Sequence, residues 1–312
     1  MVGIKLLIIN FQLLITNYPM QVVVFGSLVK EQDLPYIKLL FNALHEHGVS
    51  TYIYKPYFEQ LKTQLQFPCP VGIFDGYLDF KQRHFDFVFT LGGDGTMLNA
   101  ATIIRDAQVP MMGINLGRLG FMADIEKTAI AETLTMLEKG MFTIETRSLL
   151  YLESDIPVFG ETPFALNDFT ILKRDTSSMI TIRTFINGSY LNSYWADGLI
   201  VATPTGSTGY SLSCGGPIIF PNSGTFVITP VAPHNLNVRP IVISDSACIS
   251  FEIEGRTDNF LCTLDSRFET ITNGHQLAVR KCDFEIRLVQ IAGKNFLDTI
   301  RNKLNWGSDK RN

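Results

Sequence analysis

The run Phe85-Asp86-Phe87-Val88-Phe89-Thr90-Leu91-Gly92-Gly93-Asp94-Gly95-Thr96 decides the fold. Its first part is apolar almost throughout, the signature of a strand buried on both faces. Three glycines then turn the chain, and over 96–105 the apolar spacing becomes helical. A buried strand feeding a helix through a short turn is the repeating unit of a parallel sheet covered on both faces. The same alternation recurs upstream. Gln21-Val22-Val23-Val24-Phe25-Gly26 reads as a first strand. Residues 34–47 carry Ile37, Leu40, Phe41 and Leu44 on one helical face, with Gly48 placed to end the helix, and 49–54 is a second strand. Downstream, 110–115 is another short apolar run, and 127–139 is helical again.

From about Arg147 the character changes. The segments 164–173, 179–186, 199–202, 226–228, 248–253 and 284–289 are short and β-rich, separated by Gly, Asn, Asp and Ser. Residues 295–306 return to a helix with Phe296, Leu297, Ile300 and Leu304 on one face. The expected organisation is an α/β domain with a parallel sheet over 20–146 and a β-rich domain over 147–294. A C-terminal helix, 295–306, is expected to pack back on the first domain. Residues 1–19 hold an apolar patch broken by Asn10, Gln12, Thr16 and Asn17, too short to span a bilayer and without a small-residue cleavage site. They read as an extension ahead of a start at Met20.

Composition narrows the function. The chain has 312 residues, 46% of them hydrophobic, enough for two cores, and a net charge of −4 without a Lys/Arg block. Nucleic acid and anionic membrane are therefore poor partners, and a small molecule is favoured. The five cysteines are scattered without a C-x-x-C pair, which suits a reducing, cytoplasmic location. No Cys/His cluster has metal-ligand spacing, so no protein-held metal site is expected.

The glycine turn is also the sharpest chemical feature. Bare backbone at Gly92 and Gly93, with Thr96 following, lets N–H groups approach a phosphate at a helix N-terminus. It is not a dinucleotide fingerprint, because Leu98 stands where the third glycine would fall, and no G-x-x-x-x-G-K-[ST] occurs. A carboxylate between glycines repels an unshielded pyrophosphate, so Asp94 either approaches phosphate through a metal or accepts a hydroxyl proton. Both uses suit phosphoryl transfer. Asp94 as a helix N-cap is the plainer reading, and it leaves the flanking glycines unexplained. A second cluster, Trp195-Ala196-Asp197-Gly198 through Thr203-Pro204-Thr205-Gly206-Ser207-Thr208-Gly209-Tyr210-Ser211-Leu212-Ser213, supplies hydroxyls, bare backbone and a ring face for a nucleotide.

Taken in order, these features resemble bacterial NAD kinases (ATP-NAD kinases) over 20–306. The resemblance rests on the Gly-Gly-Asp-Gly turn, Gly113-Ile114-Asn115-Leu116-Gly117-Arg118-Leu119-Gly120-Phe121, Asn167-Asp168, the 197–213 run, Leu264-Asp265-Ser266-Arg267 and Asn295-Phe296-Leu297-Asp298-Thr299-Ile300-Arg301. It implies that NAD is held between the two domains and that ATP and a divalent metal, Mg²⁺ or Mn²⁺, take part. It further implies a homodimer or homotetramer. Carried over by motif, Asp94 is the proton acceptor for the adenosine 2′-hydroxyl, with Gly95 against the same nucleotide. Asn167, Asp168 and Asp197 bind NAD, Thr208, Gly209, Tyr210, Ser211, Leu212 and Ser213 line its pocket, and Phe121 lies near the adenine. Arg267 and Asn99 are further candidates. Departures from the family pattern are Asp168 for a common glutamate, Gly209 for a common alanine, and Trp195-Ala196 where a basic residue often stands.

Two other functions share parts of this pattern. A diacylglycerol-type lipid kinase has the same glycine-aspartate turn, but no basic amphipathic helix for an interface is evident here. A non-catalytic NAD(P)-binding sensor would keep the pocket, and the intact Asp94 argues against it.

Overall fold

The computed structural model describes residues 19–174, 178–293 and 295–306. The expected extension, 1–19, lies outside the described residues apart from Pro19. Two compact units are present, one holding the chain up to Glu145 together with Arg287 onward, the other Thr146–Ile286. The chain re-enters the first unit inside the long strand Leu277–Ile291, ahead of position 294.

In the first unit the strands Gly72–Phe74, Ser50–Tyr54, Gln21–Gly26, Phe87–Leu91 and Met111–Asn115 lie side by side in that order, all parallel. Leu288 continues the sheet beside Met111. The two strands that flank the glycine turn, Phe87–Leu91 and Met111–Asn115, are buried along their whole length. Their apolar runs follow from that burial, and a fully buried Phe89 contributes roughly 1.5–3 kcal/mol. The helix Leu34–Glu46 buries Ile37, Leu40, Phe41, Ala43 and Leu44 against the sheet, and Gly48, at φ +67°, turns the chain out of it. The central strand begins at Phe87 rather than Phe85. Asp86 Oδ2 instead accepts the Gln21 N–H at 2.7 Å, and the Phe85 ring joins Tyr52, Phe74 and Phe80.

The second unit is a β-sandwich. One antiparallel sheet runs Ile241–Ser244, Thr225–Val231, Gly198–Ala202, Asp168–Lys173, Asn259–Leu264, Arg267–Thr272. The other carries Ser189–Ala196, Ile180–Ile186, Ile249–Glu254 and the Leu277 end of the long strand. Their inner faces meet through residues such as Phe169, Ile171, Leu199 and Val201 against Ile182, Ile249 and Phe251, with the Phe169 and Phe251 rings 5.4 Å apart. Gly198–Ala202 is buried on both faces because Ile200 and Ala202 pack with Ile219 and Val227 on its far side. This strand leads into the hydroxyl-rich turn and fixes where the turn starts.

The C-terminal helix Phe296–Leu304 belongs to the first unit and is capped by Asn295, whose Oδ1 accepts the Asp298 N–H at 3.0 Å. Ile300 is its buried residue, while Leu297 faces solvent. Among the described residues no helix is long and apolar enough to cross a membrane.

Candidate active site

Gly92 needs to be glycine. Its φ is +151°, and a methyl group there would sit 2.2 Å from Thr96 Oγ1. Gly93 and Gly95 face open space, with nothing within 4 Å of a would-be side chain. No packing among the described residues accounts for them, and they leave bare the start of the helix Asp94–Ile104, where the Asp94 and Gly95 amides precede the first hydrogen bond, from the Thr96 N–H to the Gly93 carbonyl at 2.9 Å. Gly93 is the cap residue, so Asp94 is the first helical residue and not the N-cap that sequence allowed.

The Asp94 side chain is instead a clamp. Its Oδ2 accepts the Phe121 N–H at 2.8 Å, and its Oδ1 accepts those of Met122 and Ala123 at 3.0 and 2.9 Å. Two glycines of the Gly113–Phe121 motif permit this approach. A methyl at Gly120 would lie 2.0 Å from Asp94 Oδ1, and one at Gly113 would lie 2.5 Å from the Ala123 Cα. Asn115 holds the same loop, accepting from Gly117 N–H at 2.7 Å and donating to the carbonyls of Arg118 and Ala123. A carboxylate has about four acceptor positions. Three are taken, and one on Oδ2 is left for an incoming hydroxyl. Phe121 is half-buried, with Lys303 Nζ 5.7 Å from its ring centre. Asn99 lies on the exposed side of the same helix.

In the second unit Asn167 and Asp168 stand against the hydroxyl-rich turn. A methyl at Gly206 would meet the Asn167 carbonyl oxygen at 2.0 Å, and one at Gly209 would be 3.7 Å from both Asn167 Nδ2 and Asp168 Oδ2. Glycine at 209 thus leaves space beside these two side chains. Asn167 Oδ1 is buried without a hydrogen-bond partner. Burial first, and the charge of Asp265 second, push the Asp168 carboxyl up to about 7, with no hydrogen bond from the described residues to offset them. Tyr210 is partly exposed, and burial raises its phenol, with Cys214, Asp197 and Asp168 adding smaller effects. Asp197 pairs with Lys173 Nζ at 2.6 Å.

Other residues of the motif serve the framework. Ser211 is fully buried with its Oγ 2.8 Å from Thr229 Oγ1, so it does not line a pocket as expected. Arg267, expected at the nucleotide, donates to the Thr162 carbonyl and hydroxyl and to the Phe164 carbonyl. Thr208 Oγ1 donates to the Thr205 carbonyl at 3.1 Å, Leu212 is half-buried and Ser213 exposed. Asn115 in the first unit, and Thr203 and Asp265 in the second, hold the loops that carry these residues, a role that escaped the sequence reading. All three lay inside quoted motifs, but nothing local marked their long-range partners. An open cleft of about 610 Å³ in the second unit, lined by Phe185, Glu252, Ile253 and His275 among others, contains none of the residues above.

The chain matches the family models for the ATP-NAD kinase N-terminal domain over 36–142 and the ATP-NAD kinase C-terminal domain over 166–291. It is 46% identical over 288 residues to the NAD kinase of Cytophaga hutchinsonii, covering 92% of this chain and 98% of that one. To the NAD kinase of Bacteroides fragilis it is 44% identical over 292 residues, covering 94% and 100%. In fold it is similar to yeast NADH kinase complexed with NADH, with a TM-score of 0.83 at 22% identity over 94% of this chain and 89% of that one. It is also similar to an Archaeoglobus fulgidus NAD kinase in complex with ATP, with a TM-score of 0.70 at 23% identity over 92% and 99%. By sequence, fold and motif order, the chain belongs to the NAD kinase family of ATP-dependent phosphotransferases.

Proposed function

We propose that this chain transfers the γ-phosphoryl group of ATP to the 2′-hydroxyl of the adenosine ribose of NAD, giving NADP and ADP. The observation that carries this reading is Asp94, a carboxylate at the start of a helix with one acceptor position open and bare glycine on either side. The 2′-oxygen attacks the γ-phosphorus in line, the bond to the ADP oxygen breaks, and the hydroxyl proton passes to Asp94 Oδ2. Hydrogen bonds from three backbone N–H groups hold the carboxylate at one angle, so the proton acceptor needs no reorganisation. Asn167 and Asp168 bind NAD through the side-chain atoms that the protein leaves unpartnered. Within the second unit, Asp197, Tyr210 and the open backbone at Gly209 complete the nucleotide contacts of Asn167 and Asp168.

A divalent metal, Mg²⁺ or Mn²⁺, would neutralise charge on the ATP phosphates. The described residues hold no group of three or more His, Cys, Asp or Glu side chains that could cage an ion. Phosphate oxygens and water therefore suit it as ligands better than a protein-built site. The five unpaired cysteines favour a cytoplasmic setting, and the exposed Ile241 and Val242 on an edge strand suit a homodimer or homotetramer.

The test is a coupled assay of the pure protein with NAD, ATP and Mg²⁺. NADP formation that stops with excess chelator and returns with Mg²⁺ or Mn²⁺ is expected. Tight NAD binding without turnover would make the protein a sensor, and phosphorylation of diacylglycerol in vesicles would make it a lipid kinase.

A further inference from the structure

Asp265 occupies the tip of the two-residue hairpin between the strands Asn259–Leu264 and Arg267–Thr272, at φ +55°. Aspartate is among the few residues that tolerate this left-handed conformation. Its carboxylate reaches back across the sheet. Oδ2 accepts the Leu166 N–H at 3.0 Å, and Oδ1 accepts those of Asn167 and Asp168 at 2.7 and 3.1 Å. Its own N–H donates to the Asp168 carbonyl at 2.9 Å. From the other side comes Thr203, fully buried, whose N–H donates to the Asn167 carbonyl at 2.9 Å and whose hydroxyl donates to the Leu166 carbonyl at 2.6 Å. Every backbone N–H and C=O of residues 166–168 is thus held by Asp265 or Thr203. The side chains of Asn167 and Asp168 are treated in the opposite way, with Asn167 Oδ1 unpartnered and Asp168 carrying no hydrogen bond from the described residues. A tied backbone beneath free side chains is the arrangement of a preorganised binding site.

We propose that Asp265 is a positioning residue for NAD, fixing Asn167 and Asp168 in their binding geometry through a clamp on three successive amides. The inference rests on the reading of Asn167 and Asp168 as NAD ligands. Asp94 uses the same device on Phe121, Met122 and Ala123, one oxygen taking one amide and the other taking two. Asp265 touches no reacting atom and acts only through the residues it holds. Burial pushes the Asp265 carboxyl up, the three amides and the Arg267 charge oppose that rise, and its charge faces Asp168, which in turn acts on the Tyr210 phenol.

Asp265→Asn keeps the size but leaves a single carbonyl oxygen, and its amide nitrogen must face a backbone N–H. The KM for NAD should rise about 10–100-fold, the equivalent of losing one charge-assisted hydrogen bond. kcat and the KM for ATP should stay within a few fold. The pH profile of NAD binding, followed by calorimetry, is a second readout. Removing the like charge should move the inflection due to Asp168 to lower pH, which checks that the Asp265 carboxylate lies against Asp168 in solution. An unchanged KM for NAD with an unmoved inflection overturns the proposal, as does an equal loss in kcat and in both KM values. If Asp265→Asn does not yield folded protein, Asp265→Glu decides: it keeps the charge but carries the carboxylate one methylene away from its place against the three amides. A selective rise in the KM for NAD then supports the clamp, and a wild-type value overturns it. Failure of the wild-type protein to make NADP would instead sink the kinase reading, while calorimetric NAD binding by the two variants still tests the clamp.

Discussion

At the scale of single residues, Asp94 shows how a motif legible in sequence can hide half of its work. The Gly-Gly-Asp-Gly turn marks a phosphate-binding strand-to-helix junction from its composition alone. That its carboxylate also ties down residues 121–123 depends on a contact 27 to 29 positions away, which no local pattern encodes. The clamp changes what mutation should do. As an N-cap, Asp94 would be replaced by asparagine at almost no cost. As a clamp it cannot be, because an asparagine offers one oxygen to three amides and turns an NH₂ towards one of them. Asp94→Asn should therefore cost about 1–3 kcal/mol of stability, seen as a melting temperature several degrees lower. It should also lower kcat by about 10²–10⁴-fold for loss of the proton acceptor. Wild-type stability in this variant would contradict the clamp, and near-normal turnover would contradict the base.

At the scale of elements, the parallel strands and the first long helix were legible because buried apolar runs and the 3.6-residue period are strong signals. The edge strands Gly72–Phe74, Ser189–Ala196 and Ile241–Ser244 were not, since strands half open to solvent carry mixed residues and no clean alternation. The glycines of the turn and of the Gly113–Phe121 motif separate in the same way. All look alike in sequence, yet their surroundings differ. At Gly120 a methyl would collide with Asp94 Oδ1, whereas at Gly93, with φ −92°, it would meet only open space. Gly120→Ala should thus destabilise the protein by about 1–3 kcal/mol. Gly93→Ala should cost no more than a weakened helix cap, about 1 kcal/mol, and still raise the KM for ATP or NAD severalfold, if phosphate approaches that backbone as the helix N-terminus invites. Unaltered kinetics in Gly93→Ala would remove the phosphate-binding role from that glycine.

At the scale of the whole molecule, a binding site of this kind lowers overall stability, and Asp168 makes the effect measurable. Its carboxyl is pushed up to about 7, by burial first and by Asp265 second, against an ordinary value near 3.9 in the unfolded chain. Between these two values the folded protein binds the extra proton, so stability falls as pH rises from about 4 to 7 and stays lowered above that. Asp168→Asn cannot ionise and escapes the penalty. The variant should be more stable than the parent at pH 8, by at most about 4 kcal/mol, the full shift converted at 1.36 kcal/mol per unit. The advantage should shrink through pH 6 and vanish near pH 4. Urea unfolding of parent and variant at pH 5 and pH 8 reads the difference directly. Equal stabilities at both pH values would show that Asp168 is solvated and ordinary. A gain confined to the higher pH, together with weakened NAD binding, would show a carboxyl held in an unfavourable place for the sake of its ligand.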